Sequence, residues 1–382
     1  MSELRVQANP RAAARAQPYA AAQALSAGGF AAATREISAW PGYAPTPLVA
    51  LPALAAALGL AALWYKDERG RFGLKSFKAL GGAYAVRRVL ARQGLPAKDV
   101  TVTCATDGNH GRSVAWGAQL FGCRSVIFIH ETVSEGRAQA IRCYGAEVRR
   151  VKGNYDDAVR HAAAEAARNG WYVVSDTSYA GYRDVPLDVM HGYGVMAAEI
   201  AAQLPAGVVP THVFVQAGVG ALAAAICASF WLRWGARRPR FAVVEPARAD
   251  CFYRSLEAGR PTAVHGDLDT VMAGLACGEV SQLAWEVLET GADAAVAIGD
   301  ASALEAVRAL ALPRGRDPAI VAGETGGAGL AALLALKERP DLRAQLALGA
   351  DSTLLLFGSE GDTDPEIYRR IVGRSADEVL AA

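Results

Sequence analysis

The stretch TDGNHG, residues 106–111, puts an acid (Asp107), an amide (Asn109) and an imidazole (His110) within one tight turn. Asp107 can move a proton, and Asn109 can donate a hydrogen bond to a phenolate oxygen. Asp and Asn before Gly also favour plain turns, so a turn with a capping or packing histidine is the competing reading. The stretch AGVGALA, residues 217–223, offers Gly218 and Gly220 just before an Ala-rich segment. Free N–H groups at such a turn and helix start bind phosphate. Gly218, Gly220 and Ala223 also satisfy G-x-G-x-x-A, with Glu245 placed as a dinucleotide site requires, and close packing alone explains such glycines equally well. In FGLKSFKALGG, residues 72–82, Lys78 is followed by Gly81, Gly82 and Ala85 at three, four and seven residues. On a helix these share the lysine's face, a nearly bare strip that leaves room for something flat. Two glycines inside a helix cost roughly 1 kcal/mol each against alanine. A solvated lysine on a closely packed helix is the bland alternative.

Elements must hold these residues in place. Lys78 reads as lying at the start of a helix that runs to about Arg92 and is stopped by Gly94 and Pro96. Apolar runs at 63–68, 100–106, 124–130, 147–153, 171–177, 211–218, 240–246, 294–300 and 352–359 read as strands. Asn154 reads as the cap of a helix closed by Gly170, and Asp300 or Ser302 as the start of one stopped by Pro313. Strand–helix alternation predicts an α/β fold of parallel-rich sheets flanked by helices, here two sheets in two lobes. In such folds ligands sit beyond the carboxyl ends of the strands. TDGNHG, DTSYAGY (176–182), AGVGALA, GETGGAG (323–329) and GSEGDTD (358–364) all fall there.

The bulk numbers narrow the function classes. With 382 residues, 52% hydrophobic and 20% charged, the chain reads as a soluble globular protein of one large or two medium domains. A net charge of +1 gives no electrostatic reason to expect nucleic acid or anionic membrane as a partner. No signal-peptide core and no 18-residue apolar run is present. The first twenty residues, Ala-rich and broken by Pro10 and Pro18, read as a loosely held arm. Six scattered cysteines show no C-x-x-C pair and no metal-ligand rhythm, which fits a cytoplasmic protein.

The parts together resemble the fold-type II pyridoxal-phosphate enzymes, the tryptophan synthase β-like group. Within it, FGLKSFKALGGAYA, ATDGNHGRSVAW, AGVGALAAA, ADCFYRS, MAGLACGE, AGETGGAGL and SEGDTDPEIYRRIV are similar to the diaminopropionate ammonia-lyase family, from about Ala39 to Gly373. The resemblance implies a homodimer of two-lobed subunits with the cofactor in the cleft between lobes. The expected division is a flexible arm over 1–20, a large cofactor domain over 21–90 and 205–382, and a small domain over 91–204. Lys78 is then expected to form the Schiff base with pyridoxal phosphate, and Phe77 to pack against the ring. Gly218, Val219, Gly220, Ala221 and Leu222 would supply the phosphate cradle. Asn109 would hold the phenolate oxygen, and Ser359 would meet the pyridine nitrogen and leave it unprotonated. A weaker electron sink of that kind favours expulsion of a β leaving group over racemisation or transamination.

Relatives that deaminate serine or threonine resemble S-x-G-N-H, with a serine where this chain has Asp107. A β-amine is cationic near neutral pH and a carboxylate attracts it, so Asp107 and Asp176 suit a diamino acid. The expected reaction is elimination of ammonia from D- or L-2,3-diaminopropionate to give pyruvate and two ammonia. Lys78 is expected to take the Cα proton of the L isomer and Asp107 that of the D isomer. A serine/threonine-type dehydratase is the alternative inside the fold. A nicotinamide dehydrogenase built on Gly218, Gly220, Ala223 and Glu245 is the alternative outside it, and a non-catalytic binding protein a further one. The chain departs from the family pattern at Lys75–Ser76, at Ala180 and at TGGAG, 325–329. Cys251 and Cys277 are expected near the cleft mouth, as separate thiols or as a disulfide.

Overall fold

The computed structural model describes residues 3–19, 24–106, 108–153 and 155–381. Asp107 and the expected helix cap Asn154 lie outside the described residues. The strands are β1 (Leu4–Ala8), β2 (Leu48–Ala50), β3 (Ala62–Asp67), β4 (Thr101–Ala105), β5 (Arg124–His130), β6 (Glu147–Val151), β7 (Tyr172–Val173), β8 (His212–Gln216), β9 (Arg240–Pro246), β10 (Ala294–Ile298) and β11 (Thr353–Gly358). They form a seven-stranded sheet in the order β1-β10-β9-β8-β11-β3-β2 and a four-stranded sheet in the order β6-β5-β4-β7. The small sheet is parallel throughout. The large one is parallel except at its edges, where β1 and β2 run antiparallel to their neighbours. The α/β reading therefore holds, down to two parallel-rich sheets. Central strands such as β8 are buried at every position, which is why they read as continuous apolar runs rather than alternating ones.

Three elements differ from expectation, the first being the short edge strand β2, Leu48–Ala50, which lies outside the expected strands and pairs antiparallel with β3. Leu4–Ala8, inside the stretch expected to be a loose arm, is an edge strand whose Val6 pairs with Val296. Asn9 secures its end, donating from Nδ2 to the carbonyls of Glu289 and Ala292 at 2.8 Å each. Five residues beside prolines carry too little periodicity to signal a strand without their partner. The run 171–177 forms a strand only over Tyr172–Val173. Beyond it the Tyr182 hydroxyl accepts from the Ser175 amide at 3.0 Å and donates to the Val173 carbonyl at 2.9 Å. Those bonds occupy the open edge of β7, while the Val174 amide still donates to the Thr103 carbonyl of β4 at 2.8 Å.

The helix expected after FGLKSF spans Lys78–Gln93 and ends at Gly94, whose φ of 63° permits the left-handed turn. Its glycines have a structural use. A Cβ on Gly81 would lie 2.4 Å from the Tyr193 ring, and one on Gly82 would lie 1.9 Å from Ser113 Oγ. The bare strip beside Lys78 is thus filled by the helices Asn109–Phe121 and Asp184–Gln203. It does not hold a flat ligand, so the close-packing alternative is the correct one for these glycines.

Candidate active site

The cleft is lined by the carboxyl ends of strands from both sheets and the segments that follow them. Of the residues singled out in the sequence, Phe77, Lys78, Asn109, Asp176, Gly218, Val219, Gly220, Ala221, Leu222 and Ser359 all border this single pocket. Asp107 lies outside the described residues, but its neighbours Thr106 and Gly108 border the same pocket.

Lys78 sits at the first turn of its helix, and its ammonium forms an ion pair with Asp176. The ammonium also lies 5.4 Å from the Phe77 ring centre and 6.0 Å from that of Tyr193. Burial disfavours charge on both partners, yet each holds the other ionised. Lys78 is raised above the ordinary lysine range, chiefly by Asp176 once burial is overcome, and Asp176 is held well below the carboxylate range by Lys78 and then His110. His110 Nε2 donates to the Val174 carbonyl at 2.8 Å, which leaves Nδ1 facing Asp176 at 3.9 Å. Burial lowers the pKa of this imidazole. The loop bearing Asp176 is pinned from behind, where the Ser178 amide donates to Ser281 Oγ at 3.0 Å and Ser178 Oγ accepts from the Leu283 amide at 2.8 Å.

Other lysines near the cleft have other partners. Lys66 is fully buried and pairs with Glu199 at 2.7 Å. Lys75 has a φ of 55° and pairs with Asp362 at 2.6 Å. Together with the Gly361 amide donating to the Lys75 carbonyl at 3.0 Å and the Phe77 amide to the Ser359 carbonyl at 3.0 Å, this joins the lysine loop to the segment after β11.

The glycine loop ends β8 and starts the helix Ala221–Trp234. Gly220 has a φ of 92°, and no side chain caps this helix, so its first amides are available to an anion. A Cβ on Gly218 would lie 3.0 Å from both Cys277 Sγ and the Gly274 carbonyl, so the loop passes directly under the Gly274–Cys277 segment. Cys251 is a buried free thiol beneath it, its Sγ 3.7 Å from the Gly218 carbonyl, which answers the disulfide alternative in favour of separate sulfurs. Glu245 is fully buried and accepts from the amides of Phe252 and Tyr253 at 2.7 and 2.8 Å. Burial pushes its pKa up to about 8 against those bonds. A carboxylate used in this way cannot reach a ribose, which removes the dinucleotide reading.

Several pocket residues escaped the sequence reading. Gln216, the last residue of β8, donates from Nε2 to Ser359 Oγ at 2.6 Å, while its Oε1 is buried without a partner. Gln216 Nε2 also reaches the carbonyls of Thr325 and Phe357 at 2.9 and 2.8 Å, so its two hydrogens are shared among three acceptors, and Ser359 keeps a hydrogen of its own to give. Glu360 accepts from Asn109 Nδ2 and, at 3.3 Å, from the Thr325 amide. Burial, with Glu360 nearby, pushes Glu324 up to about 7. Gln216 and Glu360 lie at or just after the ends of β8 and β11, whereas Glu324 follows an apolar run that forms no strand, so strand ends, and not the glycines alone, were a usable signal for the first two.

Residues 39–356 match the family described as pyridoxal-phosphate dependent enzyme. The chain is 41% identical over 349 residues to the diaminopropionate ammonia-lyase of Escherichia coli strain K12, covering 87% of this chain and 88% of that protein. It is 40% identical over 364 residues to that of Salmonella typhimurium, with 88% and 90% covered. The crystal structure of the Escherichia coli enzyme with an aminoacrylate–PLP azomethine intermediate superimposes with a TM-score of 0.89 at 37% identity, over 97% of each chain. The same enzyme with D-serine gives 0.90 at 37% identity, over 98% of each chain.

Proposed function

The chain belongs to the pyridoxal-phosphate-dependent enzymes, and we propose that it is a diaminopropionate ammonia-lyase acting on both isomers of 2,3-diaminopropionate. The observation that carries this reading is the Lys78–Asp176 ion pair, set in one pocket with Asn109, Ser359 and the uncapped glycine-loop helix.

These residues fit the cofactor. The open amides of the Ala221–Trp234 helix suit its phosphate. The Ser359 hydroxyl, with Gln216 Nε2 2.6 Å from its oxygen, has its own hydrogen left for a neutral ring nitrogen. Asn109 would meet the phenolate oxygen, Phe77 would pack on the ring and Lys78 would hold the group covalently through Nζ. Pyridoxal phosphate, when bound, supplies an electron sink for the pair left at Cα.

Asp176 supplies negative charge where a β-ammonium needs it: a cation beside it keeps it ionised, Lys78 when Nζ is free and the β-ammonium itself when Nζ holds the cofactor. Lys78 Nζ would take the Cα proton of the L isomer from one face, acting as the neutral amine that leaves its covalent bond to the cofactor and not as the ammonium paired with Asp176. Asp107, between Thr106 and Gly108 of the pocket wall, takes that of the D isomer from the other. The balanced reaction consumes diaminopropionate and one water and yields pyruvate and two ammonia. The same proposal makes the protein a cytoplasmic homodimer of amino-acid catabolism. It keeps a small lobe over 91–204 against a large cofactor lobe over 21–90 and 205–382, which is supported by the separate four-stranded sheet drawn from residues 101–173. Among the described residues no helix is long and apolar enough to cross a membrane.

Pyruvate release from each isomer by the purified protein tests the function, with L-serine and L-threonine as competitors. Turnover of both diaminopropionate isomers above the hydroxy amino acids is expected. Preference for serine or threonine would replace this reading with the dehydratase alternative.

A further inference from the structure

Arg112 lies one helical turn after Asn109, on the same face of the Asn109–Phe121 helix. It is buried to 8% exposure, yet the proposed chemistry does not use it and it forms no ion pair among the described residues. Its Nη2 donates to Asn109 Oδ1 at 2.9 Å. On the other side Asn109 Nδ2 donates to Glu360, itself 8% exposed and joined through its backbone to Ser76 of the lysine loop. A guanidinium offers only donors and a carboxylate only acceptors. The carboxamide of Asn109 is therefore held in one orientation from both ends, and one of its two N–H hydrogens remains for the pocket.

We propose that Arg112 is a positioning residue that anchors the Asn109 carboxamide, with Glu360 opposite it, so that the remaining N–H is presented to the cofactor's phenolate oxygen. This rests on the reading of the pocket as a pyridoxal-phosphate site. Carbonyl-side anchoring by a cation also polarises the amide and strengthens the hydrogen bond given by its nitrogen. Lysine at 112 keeps a donor-only head, whereas methionine keeps the volume and loses the anchor.

The test measures the dissociation constant for pyridoxal phosphate and the visible absorption band of the loaded protein, for Arg112→Met and Arg112→Lys, each alone and combined with Asn109→Ala. Thermal unfolding of each variant is recorded alongside. Arg112→Met is expected to weaken cofactor binding about tenfold, as fits one hydrogen bond to a charged acceptor, and to change the band. Arg112→Lys is expected to stay within about threefold of the parent, and both effects should vanish in the Asn109→Ala background. Should Arg112→Met not fold, Arg112→Gln, too short to reach Asn109, is expected to behave the same way. Equal losses with and without Asn109, or no change on losing Arg112, overturn the proposal. A parent protein that binds no pyridoxal phosphate overturns the cofactor reading instead, and the two failures are separate.

Discussion

At the scale of single residues, the function depends on which lysine meets the cofactor and which carboxylates face it. Lys66 and Lys75 are each held by another acid, Glu199 and Asp362. Lys78 alone of the three borders the pocket. Lys78→Ala should therefore lose the yellow colour and nearly all turnover, while Lys75→Ala keeps the colour. Borohydride reduction followed by peptide mapping reads this directly, and label on Lys66 or Lys75 would refute the assignment. Asp107 gives a second prediction. Asp107→Asn should lower elimination from D-diaminopropionate by roughly 100-fold or more, the scale of a lost general base, and spare much of the L activity. Equal loss on both isomers would reduce Asp107 to a binding role.

At the scale of elements, the site stands on three helices brought unusually close. A Cβ on Gly192 would fall 2.5 Å from the Leu80 carbonyl, and one on Gly117 2.7 Å from Ala83 Cα. These obstacles are backbone or Cα atoms, which cannot rotate away as a side chain can. Gly192→Ala should then lower stability by about 2 kcal/mol, in the range for overpacked cores, and should impair turnover because Leu80 is two residues from Lys78. Gly28→Ala is the control, since its Cβ would have only Ser26 Oγ near it, at 4.0 Å. The control should be neutral or slightly stabilising by helix propensity. Matching thermal midpoints for the two variants would show that the helices are free to separate.

At the scale of the whole molecule, stability should fall in mild acid. His191 lies between the helices Ala27–Ile37 and Lys78–Gln93, edge-on to Phe30 with ring centres 5.3 Å apart. Burial, with Arg88 nearby, lowers its pKa to about 4, against about 6.5 in an unfolded chain. Between those values the unfolded chain takes a proton that the native ring refuses, so stability declines as pH drops from about 6.5 toward 4. The loss amounts to about 3 kcal/mol once both values are passed. Urea midpoints from pH 7 to 4.5 should decline for the parent and change less for His191→Gln. A parallel decline in both would assign the acid effect to other groups.

Legible in the chain alone were the buried central strands such as β4, β8, β9, β10 and β11, the helix that follows Lys78 and the candidate site, because each carries a local signature. Continuous apolar runs mark strands covered on both faces, and unusual polar and glycine groups mark strand ends. The tertiary structure decided what depended on a distant partner. β1 became a strand only through pairing with β10, the open edge of β7 is taken by the Tyr182 hydroxyl, and Gly81 and Gly82 served Tyr193 and Ser113 rather than a ligand. Glu245 has the spacing of a ribose-binding acid, and only the fold turned it inward onto the amides of Phe252 and Tyr253. Arg112, Gln216 and Glu360 are ordinary polar residues along the chain. They become site residues through contacts as distant in sequence as Asn109 and Glu360, because packing of the two sheets brings their strand ends to one cleft.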